Sequence, residues 1–305
     1  MAFDSLKPQP PRTSANTRYP EPAIAYGIEA LARSREAEAR CRTVLDVAFG
    51  PDEDQKLDLY LPDNEEARDV PVVLYFHGGA WMHGYKEWAG FMAPVLVDLP
   101  AIFVSVGYRL APEHKFPAPL DDAFAALNWV QRNIAEHGGD EARIFAAGWS
   151  VGGTLASLIT LRRELYPKWG LQDGVIKGCF AACAGFTYRD DVLAPGDSGM
   201  TYGDLIYDRP EDHTMASPLD HIRGNRTPFH ISHASGDFEH VKRSSAAMVE
   251  ALEGENCIVE FYLFEGMDHY ECNLAHGDPT NHWVEKMRSW ITDVDVHNSV
   301  LCRYE

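Results

Sequence analysis

Six short apolar runs recur between residues 71 and 264: Pro71–Phe76, Ile102–Val106, Ile144–Ala147, Gly178–Ala184, Phe229–His233 and Val259–Phe264. Between and after them lie Lys86–Leu99, Pro119–His137, Thr154–Tyr166, Val241–Leu252 and Trp283–Thr292, where apolar positions return at helical spacing. Fully apolar strands alternating with amphipathic helices predict an α/β domain. Its central sheet is mostly parallel, with helices on both faces. Upstream, Thr43–Phe49 and Leu57–Leu61 read as two strands around the turn Gly50-Pro51-Asp52-Glu53-Asp54. Asp58, between Leu57 and Leu59, gives the second of these the alternation of a half-exposed strand.

Two stretches break the rhythm. Residues 1–20 are polar and proline-rich and read as an extended arm, followed by helical spacing from Ala23 to Cys41. Residues 186–216 hold aromatic, glycine and proline residues without a clear period and read as a lid or cap inserted over the sheet end. The expected organisation is an N-terminal arm and cap over 1–45, then one α/β domain over 46–305.

Composition narrows the partners. The 305 residues are 45% hydrophobic, enough for a sizeable core. Acidic residues outnumber basic ones by 46 to 27, a net charge of −19, which argues against nucleic acid and against anionic membrane surfaces. No apolar run approaches a bilayer span, and the N-terminus lacks the apolar core of a signal peptide, so the expectation is a cytoplasmic protein. Cys41, Cys179, Cys183, Cys257, Cys272 and Cys302 form no CxxC pair and read as reduced, mostly buried thiols. His276, Asp278 and His282 cluster around Pro279, which spoils a regular helical ligand pair, and no metal site is expected. No phosphate-cradling glycine motif appears, so a nucleotide cofactor is not expected either.

The candidate chemistry sits at one junction. Gly148-Trp149-Ser150-Val151-Gly152 lies where an apolar strand gives way to a helix. A serine flanked by glycines there can occupy a strained turn with its hydroxyl exposed, while the glycines avoid collision with strand and helix. A Gly-Ser turn with no chemical role has the same sequence, so context decides. Acyl transfer also needs a base, an acid to orient it and donors for the oxyanion. Asp237, just past the strand Phe229–His233, and His269, in a Gly-containing loop after the last strand, follow Ser150 in the order that hydrolases of this kind use. Asp237 also reads as a plain helix cap ahead of Val241, with Glu239 as the fallback acid. The loop His77-Gly78-Gly79-Ala80-Trp81 would offer amides of Gly78, Gly79 and Ala80, with Val151 after the serine, to the oxyanion.

These blocks resemble the hormone-sensitive-lipase-like family of α/β-hydrolase esterases. The matching stretches are HGGAW (77–81), YRLAPEHKFPAPLDD (108–122), GWSVGG (148–153), SPLDH (217–221), SGDFE (235–239) and EGMDH (265–269). The resemblance implies an α/β-hydrolase fold with a helical cap, a Ser150–Asp237–His269 triad, an oxyanion site at Gly78, Gly79 and Val151, and no cofactor. It also implies hydrolysis of short to medium acyl esters. Two positions depart from the family pattern: Ala80 stands where a third glycine is usual, and Trp149 where an acid is usual. The HGG-x-W form also resembles kynurenine formamidases, which share the fold and triad.

Trp81, Trp149, Tyr188 and Tyr270 are the expected lining of the substrate pocket. The leading expectation is a serine carboxylesterase acting on a small-molecule ester. An aryl-formamidase acting on an amide is the alternative, and a repurposed cyclase, lyase or small-molecule receptor is the third. The resemblance leaves open a homodimer through the last strand, with Val294–Glu305 contributing.

Overall fold

The computed structural model describes residues 21–99, 101–188, 203–209 and 211–292. The arm at 1–20, most of the expected insertion and the tail from 294 onward lie outside the described residues. Eight strands form one sheet: β1 Arg42–Ala48, β2 Lys56–Leu61, β3 Val70–Phe76, β4 Ile102–Val106, β5 Gly139–Trp149, β6 Ile176–Ala182, β7 Phe229–Gly236 and β8 Val259–Asp268. Their spatial order is β1-β2-β4-β3-β5-β6-β7-β8. β1 and β2 pair antiparallel, β2 pairs antiparallel with β4, and all remaining pairs are parallel. The sheet is thus the mostly parallel one that the apolar runs predict, closed at one edge by the antiparallel pair.

The helices are α1 Glu21–Glu38, α2 Ala93–Val97, α3 Ala118–Asn133, α4 Val151–Leu161, α5 Tyr166–Trp169, α6 Gly203–Ile206, α7 Glu211–Met215, α8 Glu239–Gly254, α9 His269–Leu274 and α10 His282–Thr292. Two apolar cores flank the sheet. One joins α3 and α4 to the sheet through residues such as Leu74, Phe124 and Leu155. The other joins α1, α2 and α10 to it through Tyr26, Phe103, Phe145 and Trp290.

Several expectations change. The single helix expected over Lys86–Leu99 is a 3-10 stretch, Lys86–Met92, followed by α2, which starts around Pro94. Proline has no N–H to continue an existing helix but fits the first turn of a new one. Asp58 is not half-exposed: it is 1% exposed, because β2 is an interior strand. Its carboxylate lies 2.9 Å from Lys86 Nζ, which also reaches Asp46 at 3.0 Å and Glu87 at 2.7 Å. Burial alone would lower the Lys86 pKa, but these carboxylates outweigh it and hold the amine protonated. The first helix, α1, is anchored to the domain. It packs on the 86–92 stretch, where Ser34 Oγ accepts from Phe91 N at 2.9 Å.

Candidate active site

The sequence Gly148–Gly153 builds a sharp turn by steric necessity. Ser150 has φ +56° and ψ −129°, in a region L-residues avoid at a cost of about 1–2 kcal/mol. The turn closes only because its neighbours lack side chains. A Cβ on Gly152 would sit 2.0 Å from Phe76 O, and one on Gly148 would sit 2.3 Å from the Gly152 carbonyl. Ser150 N donates to Ala182 O at 2.8 Å, which pins the elbow to the end of β6. Ser150 is half-buried and caps the start of α4, so the amide of Val151 opens the helix without an intrahelical acceptor.

The loop after β3 is shaped around the same point. Met82 N and His83 N both donate to Gly79 O, at 3.0 and 2.9 Å. That tight turn places Ala80 at φ +51° and Trp81 at φ +67°, two consecutive left-handed residues without glycine's freedom. Among the described residues the amides of Gly78, Gly79, Ala80 and Val151 donate in none of the turn, loop and cap backbone bonds. Gly78 is buried against the elbow, where a Cβ would lie 2.4 Å from the Trp149 ring and 3.0 Å from Ser150 Cβ. The loop is braced from behind. Tyr108 Oη donates to His77 O at 2.6 Å and its ring stacks on His77 at 4.3 Å. Ala111 N donates to Trp81 O at 2.9 Å. Arg109 grips the buried Asp122 with both Nε and a terminal nitrogen, and Gln55 adds a second donor side chain. The YRLAPEHKFPAPLDD block is therefore a buttress for this loop.

Asp237 and His269 meet across the carboxyl ends of β7 and β8. His269 Nδ1 donates to Asp237 Oδ1 at 2.8 Å, and both residues are buried. Asp237 is not the cap of α8: Phe238 occupies that position, with no side-chain cap bond. Glu239, the fallback acid, is exposed and paired with Lys242. His269 is not in a loop either. β8 runs on to Asp268, whose carboxylate accepts from Tyr270 N and Glu271 N in a capping box, so His269 is the first residue of α9. Burial would lower the His269 pKa, but the Asp237 carboxylate outweighs it and the imidazole is pushed up to about 10. Burial would raise Asp237, but the His269 partner holds it below the usual carboxylate range. The exposed ring of Phe238 lies 4.8 Å from His269, at the open side of the pair.

Of the expected pocket residues, Trp149 departs most. It is 2% exposed, and its Nε1 donates to His269 O at 3.0 Å. Its ring lies 4.9 Å from the His269 ring and 4.7 Å from Tyr26 of α1. Trp149 thus sits behind the Asp–His pair rather than facing an open pocket, because its neighbours on every side are protein. Tyr270 joins this cluster, 5.7 Å from Tyr26 and 5.9 Å from Trp149. Trp81 and Tyr188 belong to a second aromatic group with Phe116 and Tyr207. Tyr26, Tyr108 and Cys183 are the contributors that residue patterns alone did not single out for a role. The position of Cys183, immediately after β6 at the sheet's carboxyl edge, was the available signal.

Among the described residues one group has donor atoms close enough for a metal ion: Cys183, Asp237 and His269, within 4.8 Å of one another. Two of the three are already joined by the 2.8 Å hydrogen bond. No helix among the described residues is long and apolar enough to cross a membrane. A cavity of about 280 Å³ opens between α1 and α2, lined by Arg33, Phe91 and Val95 among others, and shares no residue with the site.

Comparison with known proteins agrees with this architecture. Residues 73–272 match a family described by its alpha/beta hydrolase fold. A probable isoprenylcysteine alpha-carbonyl methylesterase of Arabidopsis thaliana is 28% identical over 258 residues, covering 79% of this chain and 53% of its own length. The chain therefore spans about half the length of that relative. The kynurenine formamidase of Danio rerio is 27% identical over 263 residues, covering 85% of this chain and 84% of its own. The carboxylesterase EstE1, cloned from a metagenomic library, shares the fold with a TM-score of 0.69 at 24% identity, covering 88% of this chain and 97% of its own.

Proposed function

The chain belongs to the alpha/beta hydrolase fold family, and from that premise we propose that it is a serine carboxylesterase working through an acyl-enzyme. One observation carries the reading: a buried Asp237–His269 hydrogen bond stands beside a strained serine elbow and amides left out of the turn and loop backbone bonds. With Nδ1 engaged by Asp237, His269 keeps Nε2 for the proton of Ser150. Ser150 Oγ attacks the ester carbonyl while Nε2 takes that proton. The amides of Gly79, Ala80 and Val151 stabilise the tetrahedral oxyanion. Collapse expels the alcohol, protonated by His269, and water reverses the steps to release the acid. The methylesterase relative supports ester chemistry. Ser150→Ala is expected to abolish hydrolysis of p-nitrophenyl butyrate and labelling by a fluorophosphonate probe. Substantial turnover or labelling in that variant would sink the proposal.

The second reading is an aryl-formamidase, favoured by the formamidase relative that this chain matches over most of both lengths. The same groups would then protonate an aryl amine as leaving group. A higher kcat/KM for N-formylkynurenine than for p-nitrophenyl butyrate decides for it, and the reverse order decides for the esterase.

A further inference from the structure

We propose that Phe238 is a specificity residue of this site. Its exposed ring is the platform on which an aromatic leaving group stacks while His269 hands that group a proton, so the preferred substrates are acyl compounds that release a phenol or an aryl amine. The proposal rests on the reading of His269 as the proton shuttle of the proposed hydrolase. It starts from exposure in an unusual place. Among the described residues four large apolar side chains are left exposed: Ile24, Ile28, Phe238 and Phe261. Phe238, 43% exposed, is the one whose ring lies against His269, at 4.8 Å. Two other rings meet that imidazole. Trp149, at 4.9 Å, is buried and tied by its Nε1 to His269 O. Tyr270, at 5.4 Å, stands edge-on to it and is engaged with Tyr26 and Trp149. Of the three rings, Phe238 is the one that offers an open face beside the histidine.

Local structure does not ask for phenylalanine here. Phe238 is the N-cap of α8, where Ser, Thr, Asp or Asn would accept a bond from the first turn, and it makes no side-chain cap bond. The helix forgoes that bond and gains little burial in return. A residue that breaks a local rule without a structural gain marks a functional position. The ring is also held in place. Phe238 N donates to Asp237 Oδ1 at 2.8 Å, its carbonyl accepts from Lys242 N at 3.1 Å, and the ring stacks at 12° on half-buried His240, 5.7 Å away. A ring fixed beforehand loses little freedom when a ligand arrives. The chemistry then selects the occupant. With Nδ1 bonded to Asp237, Nε2 is the atom that protonates the departing oxygen or nitrogen, which must come within about 3 Å of it. Whatever that atom carries lies beside the imidazole, where Phe238 already sits. Aromatic rings attract at centroid separations of about 4.5–7 Å, so an aryl group gains a stacking partner and an alkyl chain gains contact area alone. The acyl half stays on Ser150. The alternative is a ring that only shields the Asp237–His269 pair from water. It predicts the same effect on every leaving group.

The test keeps the acyl group fixed and varies the leaving group, with phenyl butyrate against ethyl butyrate as substrates of the full chain. Phe238→Leu keeps an apolar side chain and loses the ring. In this variant the ratio of kcat/KM for phenyl over ethyl butyrate is expected to fall about fivefold, and in Phe238→Trp to stay within about twofold of wild type. Comparing each variant with wild type on the same ester cancels the difference in intrinsic reactivity. A Leu variant whose ratio stays within about twofold of wild type overturns the proposal, and so does a Trp variant no better than Leu. A second arm needs no turnover. Phenol at millimolar concentration is expected to shift the imidazole NMR signals of His269 in the wild-type chain and not in Phe238→Leu. Signals that ignore phenol in the wild type, or move equally in both, overturn the proposal. If Ser150→Ala keeps its turnover, the proposed nucleophile fails, while the phenol shift still decides the aryl platform.

Discussion

Trp149 Nε1 donates a 3.0 Å hydrogen bond to the backbone carbonyl of His269. The residue next to the elbow serine therefore holds the start of the helix that carries the histidine. Trp149→Phe removes that bond and keeps most of the packing. We expect a kcat reduced several-fold and a stability loss of about 0.5–1.5 kcal/mol from the lost hydrogen bond. The preference among p-nitrophenyl esters from acetate to octanoate should not change. A shifted chain-length optimum in this variant would instead put the indole in contact with substrate.

Tyr108→Phe probes the brace on the 77–81 loop. The hydroxyl it deletes meets His77 O at 2.6 Å, one residue before Gly78. Binding contacts are untouched, so kcat should fall about tenfold at constant KM, consistent with a loop displaced by a fraction of an ångström. A raised KM with intact kcat would contradict this.

The Asp237–His269 pair sets a pH signature. Its imidazole is pushed up to about 10, so the protonated form persists well above neutrality. A general base must be neutral, and kcat/KM is therefore expected to climb through the alkaline range. The stability contribution has the opposite sign. The folded pKa lies above the ordinary 6.5, so it is full below about 6.5 and is lost as pH rises toward about 10. Asp237→Asn should move the rising limb of the rate profile to lower pH while reducing its plateau. A profile unchanged by that substitution would exclude Asp237 as the partner.

Acid should destabilise the fold by another route. His230 and His276 are buried, neither has a hydrogen bond on either ring nitrogen, and burial lowers each to about 3. Below about 6.5 the unfolded chain takes up protons that these folded histidines refuse, so stability falls as pH drops. By pH 5 the cost is roughly 2 kcal/mol per histidine. His276 stacks on Trp283 at 4.6 Å, and His276→Phe preserves that stack. Urea midpoints at pH 7 and pH 5 should converge in this variant relative to wild type.

The parallel sheet was legible because its strands are uninterrupted apolar runs, and the elbow because Gly148, Ser150 and Gly152 answer one steric demand. Asp237 and His269 were legible from their places just past strand ends. Asp58 misled because alternation signals exposure only on a strand with a solvent face. Here a lysine 28 positions away in sequence supplies its partner. Trp149 misled in a similar way. Side-chain direction at an elbow depends on a left-handed φ that no local pattern encodes, and its partners are Tyr26 and His269, distant in sequence.

The packing of α1 has a mechanical consequence. Tyr26 Oη donates to Asn273 Oδ1 at 2.7 Å, and Asn273 Nδ2 donates to Tyr75 Oη at 2.8 Å. Together with the Tyr26–Trp149 ring contact, this couples α1 to the helix that begins at His269 and to the strand that feeds the 77–81 loop. A displacement of α1 is thus transmitted to the histidine and to the 77–81 loop together. A fragment starting at residue 46 would lose the far end of that lever, and with it the registration between His269 and the 77–81 amides.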